Sequence, residues 1–306
     1  MPPSELRADD GYSALDPDDL PGPDAGDGDR DDRPVLFTPV RRLVSLGVVG
    51  LTGLLTVAVI VGVQFDHQPF ALVIFGIQVL FVVVWTIAAQ PPAPKVVGTV
   101  GIIVALAADW FALMEKPASL GPMAYVTAGG FVLAVIGQLL RPAGRVRVTE
   151  SLGSSLMVVL GVVAFATLIV LCREPLGTQV ISACMVGAGA ALFVAHLVDL
   201  AAPVMRLAPA VPRGGVGIIV GAMVGTAAAG LAGYLLDGLQ TLPTAFAGLA
   251  AAVIALMVDL SVNYADAGRR LAGAIPSWWL VRHMQGPLTA FALAAPVAYA
   301  AKLLLA

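Results

Sequence analysis

Five ionisable residues lie inside long apolar stretches or just beyond them: Asp109, His196, Asp199, Asp259 and Asp266. A charge at membrane depth is costly, which makes each one a functional candidate. His196 and Asp199 stand one helical turn apart and share a face. Asp259 comes from a later stretch and reaches the same depth as Asp199. Two carboxylates converging beside a basic loop are candidate ligands for a divalent cation and, through it, for the phosphates of a nucleotide. The competing reading is that each acid neutralises an arginine at the helix–water boundary, and spacing alone favours it. Asp109, beside Trp110, reads as a hydrated or snorkelling acid next to an aromatic anchor at the outer boundary.

Other site chemistry finds little support. Cys172 and Cys184 are the two cysteines, expected as free thiols, and no Cys or His spacing suits zinc. No Ser/His/Asp set is placed for nucleophilic catalysis, and His67 and His283 read as isolated loop residues. Arg213–Gly214–Gly215–Val216–Gly217 opens a helix whose amides could hold an anion, but it lacks the Lys-Ser/Thr that completes a phosphate-binding loop.

The elements that must position these residues are apolar spans. The chain has 306 residues, 58% hydrophobic and 12% charged, with a mean hydropathy of +0.91; a soluble domain carries about twice that charged fraction. A bilayer core of about 30 Å needs about 20 apolar residues in a helix. Nine stretches qualify: 43–63, 70–89, 96–113, 122–140, 152–172, 178–200, 215–236, 243–264 and 287–305. The expected fold is therefore an all-α, polytopic transmembrane bundle of about nine spans, over 35–306. Pro296 predicts a kink in the last span. Gly217, Gly221 and Gly225 form a small-residue face suited to close helix packing, within the chain or in a homo- or hetero-oligomer.

Charge orients the bundle. Arg33, Arg41, Arg42, Lys95, Arg141, Arg145, Arg147, Arg206, Arg213, Arg269, Arg270 and Arg282 fall on one side of the expected membrane. Lys116, Arg173 and Lys302 fall on the other. The positive-inside bias then gives a cytoplasmic N-terminus and an outside C-terminus. Residues 1–34 hold eleven acids against three arginines and read as a disordered acidic cytoplasmic tail, too poor in apolar residues to fold. The excess of Arg over Lys, with abundant Ala, Gly and Val, points to a bacterial cell (inner) membrane.

The last hundred residues resemble the phosphatidate cytidylyltransferases (CDP-diacylglycerol synthases). The matching frame is Asp199, Arg206–Leu207–Ala208–Pro209, the Gly-rich helix from Gly214, Val258–Asp259–Leu260, Pro276 and Ala295–Pro296–Val297. The resemblance implies a cytoplasm-facing site where acids hold Mg²⁺ and CTP is joined to a lipid phosphate. The family's Lys and Glu are absent from Pro212–Ile219, and its two later acids are absent from Pro276–Gln285. Two acids without a lysine would leave the developing charge poorly compensated, and each lost contact costs about 10²–10³ in rate.

The expectation is thus a degenerate, non-catalytic relative with no cofactor, Mg²⁺ entering only if the enzymatic alternative holds. Its partners would be the bilayer, anionic phospholipid or other membrane proteins, and no nucleic acid. Asp199 and Asp259 remain the metal candidates. Arg269, Arg270 and Arg282 beside Trp278 and Trp279, on what reads as a cytoplasmic loop, are the candidates for lipid-headgroup contact. A divergent CTP-dependent cytidylyltransferase and a small-solute or ion transporter are the alternatives.

Overall fold

The structure, a computed structural model, describes residues 42–141, 147–201, 207–208, 211–273 and 278–305, all within the unit Phe37–Ala306. The expected tail over 1–34 lies outside them, as do Arg33, Arg41, Arg145, Arg206, Pro209 and Pro276. Among the described residues the chain is helical throughout: α1 (Arg42–Gly62), α2 (His67–Ala89), α3 (Pro94–Met114), α4 (Gly121–Leu139), α5 (Val148–Cys172), α6 (Gly177–Ala201), α7 (Gly215–Leu235), α8 (Thr241–Leu271) and α9 (Trp279–Leu305). Each expected span has its helix, and α2 to α8 are all long and apolar enough to cross a membrane. The chain is an integral membrane protein of the multi-pass class. Helix is what lipid demands, because every buried peptide group must find its partner within the segment.

Local chemistry sets several starts. The Asp66 carboxylate caps α2 by accepting from the His67 amide at 2.7 Å, and Pro94 and Pro122 sit in the first turns of α3 and α4, where a missing N–H costs nothing. Two boundaries differ from expectation. α8 runs to Leu271 and α9 begins at Trp279, so Arg269, Arg270 and Arg282 are helical residues and not loop residues. Hydropathy ends a span where polar residues begin; here those residues continue the helices and pair, Arg269 and Arg270 with Asp266 within α8 and Arg282 with the same acid from α9. α9 is continuous through Pro287 and Pro296. His67 likewise opens α2, and His283 lies within α9.

The centre is built on α5 and α6. Their most apolar windows are 78% and 67% buried, against 28% in α4 and α7. α5 packs against α2, α3 and α4, while α6 packs against α1, α7 and α8; α9 touches both α5 and α6. The two halves pack differently. Around α5 the core is large-chained, with Phe81, Phe165, Leu168 and Ile169 fully buried. Between α6 and α7 it is nearly bare backbone. A Cβ on Gly221 would lie 2.6 Å from the Ala191 carbonyl oxygen, and one on Gly225 would lie 2.5 Å from that of Gly187. The glycine face of α7 is thus used within the chain, bringing two helices close enough for their ends to share charged groups.

Candidate functional site

At one end of this tight pair the chain gathers five polar groups, three of them buried. The last turns of α6 carry His196 and Asp199. Arg213 stands two residues before α7, α8 supplies Asp259 and Asn263, and α9 passes over them at Gly286. Asp199, Arg213 and Asp259 are 5%, 4% and 1% exposed.

Arg213 joins the acids. Its Nη1 donates to Asp199 Oδ2 at 2.9 Å, and its Nη2 reaches Asp259 Oδ2. The other Asp199 oxygen accepts from the Gly214 amide at 3.0 Å. The anion position foreseen at the N-terminus of α7 is therefore filled by the chain's own carboxylate. Asn263 Nδ2 donates to Asp259 Oδ2 at 3.2 Å. His196 Nδ1 lies 2.7 Å from the Leu192 carbonyl; with the proton there, Nε2 is left to accept from Arg213 Nη2 at 2.9 Å. Burial works against the Arg213 charge, but Asp259 and Asp199 outweigh it and hold its pKa above the ordinary value. The guanidinium is a permanent cation.

Space around the cluster is tight. A Cβ on Gly217 would lie 2.7 Å from Asp199 Oδ1, and one on Gly286 would collide with Asp259 Oδ1. Asp259 Oδ1 has no hydrogen-bond partner; His196 Nε2 lies 3.8 Å from it. The sequence places Asp199 and Asp259 at one depth, and the structure brings them to one guanidinium. It does not bring them to an open metal site: three of their four oxygens are hydrogen-bonded within the chain. Among the described residues no group of three His, Cys, Asp or Glu converges as metal ligands. With a fixed cation between the acids, the arrangement does not fit Mg²⁺ as folded.

Sequence reasoning expected each acid to neutralise an arginine at the helix–water boundary but did not assign both to Arg213, which it placed among the topology markers and at the start of the Gly-rich helix. The signal was there: it precedes a Gly-rich helix at the depth of two otherwise unpaired acids.

Seven residues beyond Asp259 on α8, Asp266 forms a second cluster. Arg270 Nη2 lies 2.8 Å from Asp266 Oδ2, Arg282 Nε 3.0 Å from Oδ1, and Arg269 Nη2 3.9 Å from Oδ1. The expected headgroup arginines thus converge, around an acid the sequence reading had not joined to them. Trp278 is 65% exposed beside them, while Trp279 begins α9 with its side chain outside the described atoms.

A third polar site corrects the reading of Asp109. It is buried, not snorkelling: Gln78 Nε2 on α2 donates to Asp109 Oδ1 at 2.9 Å and to the Val162 carbonyl at 3.0 Å. Trp110 faces outward, 62% exposed. At the same end of the bundle, Arg173 donates to the carbonyls of Ala112 and Glu115, and Lys302 pairs with Glu174 at 3.1 Å. Both cysteines are free.

No family model matches the chain, and no curated protein matches it in sequence.

Proposed function

We propose that this is a non-catalytic, multi-pass protein of the cell (inner) membrane that acts by holding lipid or another membrane protein. Its arginine-rich end would face the cytoplasm. The observation that carries the reading is Arg213 lying between Asp199 and Asp259. In a lipid-nucleotide transferase, acids at this position would hold the metal; here an internal guanidinium occupies the place of that charge. If the chain descends from the cytidylyltransferases, Arg213 has replaced the metal with a structural counter-ion. An apolar groove of about 860 Å³ between α7 and α8, lined by Ile219, Met223, Leu231, Tyr234 and Leu249, supports lipid as a partner.

The test is incorporation of labelled CTP into lipid by the purified protein with Mg²⁺. The expected result is none above a protein-free control. Incorporation that disappears in Asp259→Ala would overturn the reading in favour of the divergent enzyme. Transport is a second reading, motivated by the buried Gln78–Asp109 pair, in which Asp109 Oδ2 and Gln78 Oε1 are both buried without a hydrogen-bond partner. It predicts solute or ion flux in proteoliposomes that Asp109→Asn abolishes.

A further inference from the structure

The Asp266 cluster has an imbalance that its geometry does not resolve. Three guanidiniums lie within 4 Å of one carboxylate. One positive charge is neutralised and two are not, and Asp266 is the one acid they meet among the described residues. The arginines are not loose surface chains: their side chains are 35%, 30% and 13% exposed for Arg269, Arg270 and Arg282, and Asp266 is 13% exposed. Arg270 Nε is buried with no hydrogen-bond partner. Arg282 Nε faces Asp266 without hydrogen-bond alignment. The cluster therefore has both charge and donors to give to a further anion.

Its place in the fold says which anion. α8 has 31 residues, about 46 Å at the helical rise, which outruns a hydrocarbon core of about 30 Å. Arg269 and Arg270 sit in its last turn, where the helix dipole favours cations, while Arg282 reaches the same acid from the first turn of α9, where the dipole gives it no such help. Exposed Leu271 and Trp278 flank them at 72% and 65%. An apolar and aromatic rim around unsatisfied guanidiniums, at the end of a spanning helix, is the setting of a phospholipid phosphate. Planar guanidinium forks match phosphate oxygens two at a time.

We propose that Arg269, Arg270 and Arg282, set around Asp266, bind the phosphate diester headgroup of an anionic phospholipid such as phosphatidylglycerol. Asp266 holds the three side chains together and limits the affinity, so the site exchanges lipid with the bilayer. The inference deepens the lipid-holding part of the proposed function and leaves its non-catalytic part untouched.

Native mass spectrometry of the full chain, released from vesicles of equal phosphatidylglycerol and phosphatidylcholine, tests it. The wild type should retain phosphatidylglycerol in preference. Each of Arg269→Gln, Arg270→Gln and Arg282→Gln should weaken that preference by about fivefold, the worth of one basic residue near an anionic surface. Asp266→Asn should strengthen it, a gain that misfolding cannot imitate. Inorganic phosphate at millimolar concentration should not displace the lipid. Equal retention of the two lipids, no response to Arg→Gln together with no gain in Asp266→Asn, or ready displacement by inorganic phosphate would each overturn the proposal. CTP incorporation is a separate readout, so failure here is distinguishable from failure of the non-catalytic reading.

Discussion

α8 carries two carboxylates two turns apart, and their surroundings are nearly opposite. Asp259 shares one guanidinium with a second acid, 1% exposed, under a glycine of α9. Among the described residues Asp266 is the one acid between three guanidiniums, with the arginines reaching the surface. The first cluster is short of positive charge and closed; the second has an excess and is open. The same pair of chemical groups therefore makes a structural clamp in one place and a candidate binding site in the other. What decides between them is the count of partners and the access of outside molecules.

The comparison breaks first at Arg213. Arg213→Ala leaves two buried carboxylates uncompensated, and the expected loss is about 3–5 kcal/mol, read as thermal unfolding in detergent. A drop of less than about 1 kcal/mol would mean that water already reaches the clamp. Replacing all three members by apolar residues, as Asp199→Leu, Arg213→Met and Asp259→Leu together, should recover most of that loss, since a buried ion triad is often no more stable than well-packed hydrophobes.

Next comes the spacing that makes the clamp possible. Gly221→Leu drives a side chain into the α6 backbone at Ala191, with an expected cost of about 1–3 kcal/mol from overpacking. The same substitution at Gly98, where an added Cβ meets nothing within 4 Å, should cost markedly less. Smallest is Arg269→Gln, whose partly exposed ion pair is worth under about 1 kcal/mol to the fold. Salt separates the two clusters without mutation. Raising it from 0.05 to about 0.5 M shortens the screening length from about 14 Å to about 4 Å. Phosphatidylglycerol preference should fall while the unfolding temperature of the protein hardly moves. A parallel fall in both would erase the distinction between clamp and open site.

Spans and their order were legible because lipid imposes length and hydropathy on every crossing helix. Which face of each helix turns inward was not. In a bilayer the outward residues are apolar too, so the periodicity that marks a soluble helix is flattened. Asp109 shows the cost: adjacency to Trp110 suggested a boundary residue, yet the two point in different directions from one turn of α3. Asp199 and Asp259 could be set at one depth by counting along spans, whereas Arg213 lies between two spans, where hydropathy fixes no position. The ends of α8 and α9 were misread for a related reason. Asp266, Arg269 and Arg270, just past the expected end of the span at 264, look like the start of a loop until α9 supplies Arg282 as a partner across the helix pair.

Along the chain Asp199 comes first, Arg213 follows fourteen residues later and Asp259 forty-six after that. Arg213 and Asp199 already balance as a pair, with Nη2 of the guanidinium turned to the His196 ring of α6. Asp259 of α8 brings a second negative charge to that pair and leaves the triad one positive charge short. Its place is held by donors and not by charge balance: Nη2 of Arg213 and the Asn263 amide one turn further along α8. One side chain thus ties the ends of α6, α7 and α8 together, and whatever loosens Arg213 loosens all three.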